Sequence, residues 1–139
     1  MNLEEVLTVH VRLNKTMELD NKIGDSVVMI TFSGNVTGEY FEGEVLDGGV
    51  DTQVISKSGN VHTLSARYMI EGTDFTGSPC KMFIENNGTA TSNKEGILFR
   101  TYPKIITNSE ALAFLHDDIL VAEAIHRETT IDIKIFRWV

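Results

Sequence analysis

The sequence is poor in cysteine, proline and tryptophan, with one, two and one of each, and it is short of base: 12 Lys and Arg stand against 20 Asp and Glu. Each shortage excludes a class. The lone Cys80 cannot form an intrachain disulfide, so the chain is not a stapled secreted scaffold. A formal charge of −8 argues against a phosphate-backbone partner, because nucleic-acid binding needs clustered Lys and Arg to displace counterions. The same sign opposes an anionic membrane surface. No apolar run approaches the roughly 20 residues that cross a bilayer as a helix. The opening MNLEEVLTVH has acids where a secretion leader has bases, so the expected location is the cytoplasm. No low-complexity segment is present.

What the chain does have is strand periodicity. At 139 residues and 42% hydrophobic types, it suits one domain, 1–139, around a single core. Leu7, Val9, Val11 and Leu13 alternate with Thr8, His10 and Arg12, the period of a half-buried strand. After the polar stretch 18–25 come extended runs at Ser26–Thr37 and Tyr40–Leu46, the first apolar on both faces. Gly48-Gly49 then opens the strand Val50–Ser56, and the turn Lys57-Ser58-Gly59-Asn60 leads into Val61–Glu71, which reads as a hairpin. In that second strand Leu64, Ala66, Tyr68 and Ile70 share one face, and Ser65, Arg67, Met69 and Glu71 share the other.

A turn-rich connection through Gly77 and Pro79 precedes Cys80–Asn86, a run expected to end at Asn87-Gly88. The polar stretch 88–96 reads as a loop. Extended character returns at 96–107, where Pro103 marks an edge, bulge or end because it cannot donate a ladder hydrogen bond. Asn108-Ser109-Glu110 before ALAFLH predicts a short helix near 109–116. Residues 119–127 read as strand with helix as the alternative, and 129–138 closes the chain as a strand carrying Ile131, Ile133 and Ile135. Eight or nine short strands with little helix predict an all-β, antiparallel, closed or nearly closed β-barrel, since a long meander must hide its edges; a sandwich is the alternative. A barrel of about eight strands has room for side chains or one small ligand.

No catalytic or cofactor signature stands in the chain. No GxSxG elbow or phosphate loop is present. None of His10, His62, His116 and His126 sits at a metal-ligand spacing, so metal and cofactor are both expected to be none. Each histidine reads as a surface or structural residue before a catalytic one. Cys80 reads as a small buried hydrophobe. Tyr68 reads as a core aromatic needing one partner for its hydroxyl. Asp51, Arg67, Glu85 and Arg100 lie within strands. On the solvated face they are ordinary; inside a barrel they would need pairing, Arg67 with Glu85 or Arg100 with Asp51.

The segments GNVTGEYFEGEVLDGGVDTQ, SARYMIEGTDFTG, FIENNG and FRTYPKI, in this order and spacing, resemble uncharacterised protein family 0311, whose domain is DUF3237. The resemblance implies a calycin-like barrel and no established activity. It also implies that Asp51, Arg67, Tyr68, Asp74, Asn86 and Gly88 occupy the family's corresponding elements.

Three functions follow as expectations. The first is a small-molecule-binding barrel whose lumen site is built from Asp51, Arg67, Tyr68, Glu85, Asn86 and Arg100, holding a mainly apolar ligand with an anionic or carbonyl group. The second is a cofactor-independent isomerase, cyclase or hydrolase using a buried Glu85 or Asp51 with Arg67 as oxyanion partner. The third is a structural homo-oligomer joined through an edge such as Ile131–Ile135.

Overall fold

A computed structural model of the protein describes residues 2–90 and 97–139. The alternating segments form ten strands: β1 Leu3–Leu19, β2 Ser26–Thr37, β3 Phe41–Val45, β4 Val50–Ile55, β5 His62–Asp74, β6 Pro79–Ala90, β7 Ile97–Thr101, β8 Lys104–Thr107, β9 Leu120–His126 and β10 Ile131–Trp138. Antiparallel pairing runs β1–β2–β4–β5–β6–β7–β9–β10 and returns to β1. The result is a nearly closed barrel, a ring of eight strands. β3 bridges β2 and β5, and β8 lies on β6. Among the described residues, no helix is long and apolar enough to cross a membrane.

The expected hairpin between β4 and β5 forms, with Ser56 N–H donating to Val61 O at 2.8 Å and Ile55 facing His62. β1 is longer than its alternating core, because β2 pairs it out to Leu19 across a bulge between Leu13 and Thr16. β6 passes through Asn87-Gly88 without turning, since Gly88 faces Thr101 of β7. A Cβ on Gly88 would lie 2.2 Å from Arg100 O, so close backbone approach is what this glycine supplies. Gly43 and Gly72 face each other in the β3–β5 pair for the same reason: a Cβ on Gly72 would meet Glu42 O at 1.9 Å.

The short helix is one 3-10 turn, Ala113–His116. Ser109 supplies the expected hydroxyl, accepting from Leu112 N–H at 3.2 Å. The segment 119–127 is strand. Ile131–Ile135 is not an edge, because β10 is paired on both sides, to β1 and to β9. The expected polar loop at 88–96 lies outside the described residues from 91 onward.

The interior is packed unevenly. One half is filled by Leu7, Val36, Phe41, Ile70, Met82, Ile84, Leu112, Leu115 and Ile135, all at most 2% exposed. Burying each such side chain contributes about 1.5–3 kcal/mol, and Leu112 and Leu115 of the 3-10 region close that end. A second, acidic device braces it. Asp74 accepts hydrogen bonds from Thr76 N–H (2.9 Å), the Thr76 hydroxyl (2.5 Å), Ser78 N–H (3.2 Å) and Ser109 Oγ (2.7 Å). These bonds hold its carboxyl down at about 2, from an ordinary 3.8. The other half of the barrel, between the start of β5 and the end of β6, is not filled.

Candidate functional site

That unfilled half holds a cavity of about 70 Å3. Its wall is mostly apolar, with Leu13, Phe32, Leu64, Phe99 and Ile133 among the lining side chains, and its polar members are Asp51, Gln53, Asn86 and Thr101. The strand period puts them there. Asp51 and Gln53 are two apart on β4 and share a face, and register sets Asp51 opposite Ala66 and Ala66 opposite Asn86. The small side chain of Ala66 leaves the space between the two polar groups open. Ala124 of β9 does the same on the facing wall.

A directional chain of hydrogen bonds orients the carboxylate. Gln53 Nε2 donates to Asp51 Oδ2 at 2.9 Å. The Gln53 carbonyl oxygen is thereby turned to His62, whose Nε2 lies 2.7 Å from it and must donate. Phe99 holds the imidazole edge-on, with ring centroids 5.1 Å apart. His62 is a diagonal neighbour of Gln53 across the β4–β5 pair, within reach of long side chains. Burial raises the pKa of the Asp51 carboxyl, against the lowering effect of the Gln53 hydrogen bond and of His62.

Oδ1 of Asp51 is buried and has no hydrogen-bond partner, and the same is true of Asn86 Oδ1 and the Tyr68 hydroxyl. Each unpartnered buried group costs about 1–3 kcal/mol. Tyr68 is 3% exposed and packs edge-on against Phe32, 5.2 Å between centroids. Its hydroxyl lies by the Asn86 amide, and burial pushes its pKa up. Two residues of the cavity wall, Asp51 and Asn86, thus each carry a buried oxygen without a partner among the described residues.

The structure divides the expected site residues in two. Asp51, Tyr68 and Asn86 point inward. Arg67, Glu85 and Arg100 point outward: Arg67 Nε donates to Glu85 Oε2 at 2.8 Å, the hydrogen bond that holds Glu85 below its ordinary range. Arg100 Nη2 donates to Glu123 at 2.7 Å and does not meet Asp51. The Arg67 side chain is 61% exposed. A carboxylate and an arginine therefore do not share the lumen wall, because the alternation that turns Ala66 and Tyr68 inward turns Arg67 out. Among the described residues, no basic side chain lines the cavity.

Gln53, His62, Phe99 and Thr101 escape the sequence reading. The signal for the first two was available: Gln53 follows Asp51 at the strand period, and the four-residue turn brings His62 back alongside. Cys80 is buried, as expected of a small hydrophobe, and its thiol pKa is raised by burial and by the charge of Asp74. Gly88 and Asp74 take structural places, described above. Elsewhere, His10 joins three strands on the outer face, with Nδ1 2.8 Å from Asp132 and Nε2 2.8 Å from the Thr37 hydroxyl. Among the described residues no three His, Cys, Asp or Glu side chains gather as a metal site.

Comparison with known proteins agrees with this fold. The profile of DUF3237, a family described as protein of unknown function, matches residues 1–97. UPF0311 protein CA_C3321 of Clostridium acetobutylicum is 30% identical over 153 residues, covering 99% of this chain and 94% of that one. A crystal structure of a protein with unknown function from Clostridium acetobutylicum ATCC 824 superposes with TM-score 0.81 at 30% identity, covering 99% and 96%. A beta-barrel like protein from Acinetobacter baumannii AYE superposes with TM-score 0.72 at 16% identity over 98% and 94%, a likeness of fold alone. With its profile match, its full-length relative and its barrel in agreement, the chain belongs to the DUF3237 family.

Proposed function

We propose that the protein binds a small, mainly apolar molecule whose polar head enters the cavity between Asp51 and Asn86. The observation that carries this reading is the pairing of an unfilled, apolar-walled space with two buried oxygens that lack partners. Packed cores do not normally keep either. At about 70 Å3 the space is smaller than the cavity of about 150 Å3 that takes up benzene in an engineered core. The head of a ligand fits it; the body lies outward along Leu13 and Leu98. Among the described residues no basic side chain lines this wall, so a neutral head suits it better than a carboxylate.

Native mass spectrometry of the freshly purified protein tests this against Ala124→Leu, which fills the cavity. A stoichiometric small mass, lost on denaturation and absent from the variant, is expected. The same spectrum from both proteins would overturn the reading.

A second reading is proton transfer by Asp51 on such a molecule, without a cofactor. It is favoured by the desolvated carboxyl at the end of the His62–Gln53 chain, since burial moves a carboxyl toward a useful acid–base range. Under it, Asp51→Asn retains binding and abolishes turnover of the bound molecule. Turnover by that variant would remove Asp51 as the acid or base.

A further inference from the structure

We infer that the head group of the ligand is a neutral hydrogen-bond donor, an alcohol, and that Asp51 discriminates it from a ketone or carboxylate of the same shape. This rests on the cavity-binding reading and names its ligand class.

The carboxylate of Asp51 has two oxygens. Gln53 occupies Oδ2, and the His62 contact fixes the Gln53 amide in the orientation that donates. That leaves Oδ1 as an acceptor to which none of the described residues donates. Asn86, 1% exposed, presents a second oxygen without a partner from the next strand but one. A ketone brings another acceptor to this wall and satisfies neither oxygen. A carboxylate adds like charge to Asp51, with no basic side chain among the described residues that line the space. An alcohol supplies a donor to Asp51 while its own oxygen can accept from the Thr101 hydroxyl, which also lines the cavity. A site built to bond a hydroxyl rejects the analogue without it because the site's buried groups are then left unpaired.

The test is an NMR titration of the full chain with cyclohexanol, cyclohexanone and cyclohexanecarboxylate, following the amide signals of Asp51, Ala66 and Asn86. Cyclohexanol is expected to bind at least about tenfold tighter than the ketone, the scale of one hydrogen bond to a charged acceptor. The carboxylate is expected not to bind. In Asp51→Leu the alcohol loses its advantage over the ketone. Should that variant fail to fold, Asp51→Asn, which replaces the charged acceptor by a neutral amide, is expected to narrow the same ratio. Equal affinity for alcohol and ketone in the wild type would overturn the donor preference and leave the cavity standing as a site. No shift with any of the three would overturn the cavity reading, and this inference with it.

Discussion

Asp51 and Asn86 flank Ala66 from the strands on either side of it in one lumen wall, and each keeps a buried oxygen without a hydrogen-bond partner among the described residues. In a packed protein that is a cost with no structural return, and it dictates what variants at these positions should do.

Asp51 has a folded pKa above its unfolded value of 3.8, burial being the chief cause. The sign follows: the protonated carboxyl suits the fold, so stability is full below the unfolded value and is lost as pH rises through the folded one. Asp51→Asn, which carries no charge at any pH, should therefore gain on the wild type in Tm as pH rises from about 3.8 to neutrality. Thermal melts across that range check it. A constant difference would mean that Asp51 is not desolvated.

Asp74 runs the other way. Its folded value of about 2 lies below the unfolded 3.8, so its contribution is present above 3.8 and is lost as pH falls toward about 2. Asp74→Asn should melt lower than the wild type at neutral pH and show a flatter acid limb. An unchanged acid limb would show that the Thr76, Ser78 and Ser109 contacts do not act on its ionisation.

Arg67→Met removes an exposed ion pair with Glu85. Such pairs contribute about 0–1 kcal/mol, and the side chain lies outside the barrel. Stability should fall by less than about 1 kcal/mol, and cyclohexanol affinity should not change. A loss of binding with the fold intact would bring Arg67 back into the site.

Tyr68→Phe deletes a buried hydroxyl that lies by the Asn86 amide without a hydrogen bond of good geometry and keeps the edge-on contact with Phe32. The variant should match the wild type or exceed it by about 1 kcal/mol in urea unfolding, because the desolvation cost of the hydroxyl disappears. A destabilisation of that size would mean that the hydroxyl is bonded in solution, with the Asn86 amide as the nearest partner.

Gly72→Ala would place a Cβ against Glu42 O at 1.9 Å, backbone against backbone. Nothing flexible can yield there, so β3 should detach from β5 or the protein should fail to fold. Circular dichroism and melting temperature report either. A wild-type melting temperature would show that the two strands do not approach as closely as Gly43 and Gly72 allow.

Much of the fold was legible in the residues. The Leu7–Leu13 alternation, the turn at Lys57–Asn60 and the β-branched final strand each carry their own local cause, and their number demanded a way to hide edges. Part of the site was legible too. The β5 face of Leu64, Ala66, Tyr68 and Ile70 is apolar and its opposite face is not, so burial of the apolar face already turns Arg67 outward. The same logic on Cys80, Met82, Ile84 and Asn86 separates Asn86 from Glu85. Arg100 stands in a five-residue strand interrupted by Tyr102-Pro103, too short for its parity to be read.

By itself, the sequence determined the strands, their turns and the inward face wherever one face was plainly apolar, because side-chain alternation and turn chemistry are local. Only the tertiary structure decided that β1 meets β10 and β6 meets β7, that the packed half ends where Leu112 and Leu115 close it, and that Asp51, Gln53 and Asn86 meet around a space. Those outcomes depend on pairing between segments far apart in the chain, and on side-chain volumes summed across facing walls. No window of neighbouring residues contains either quantity.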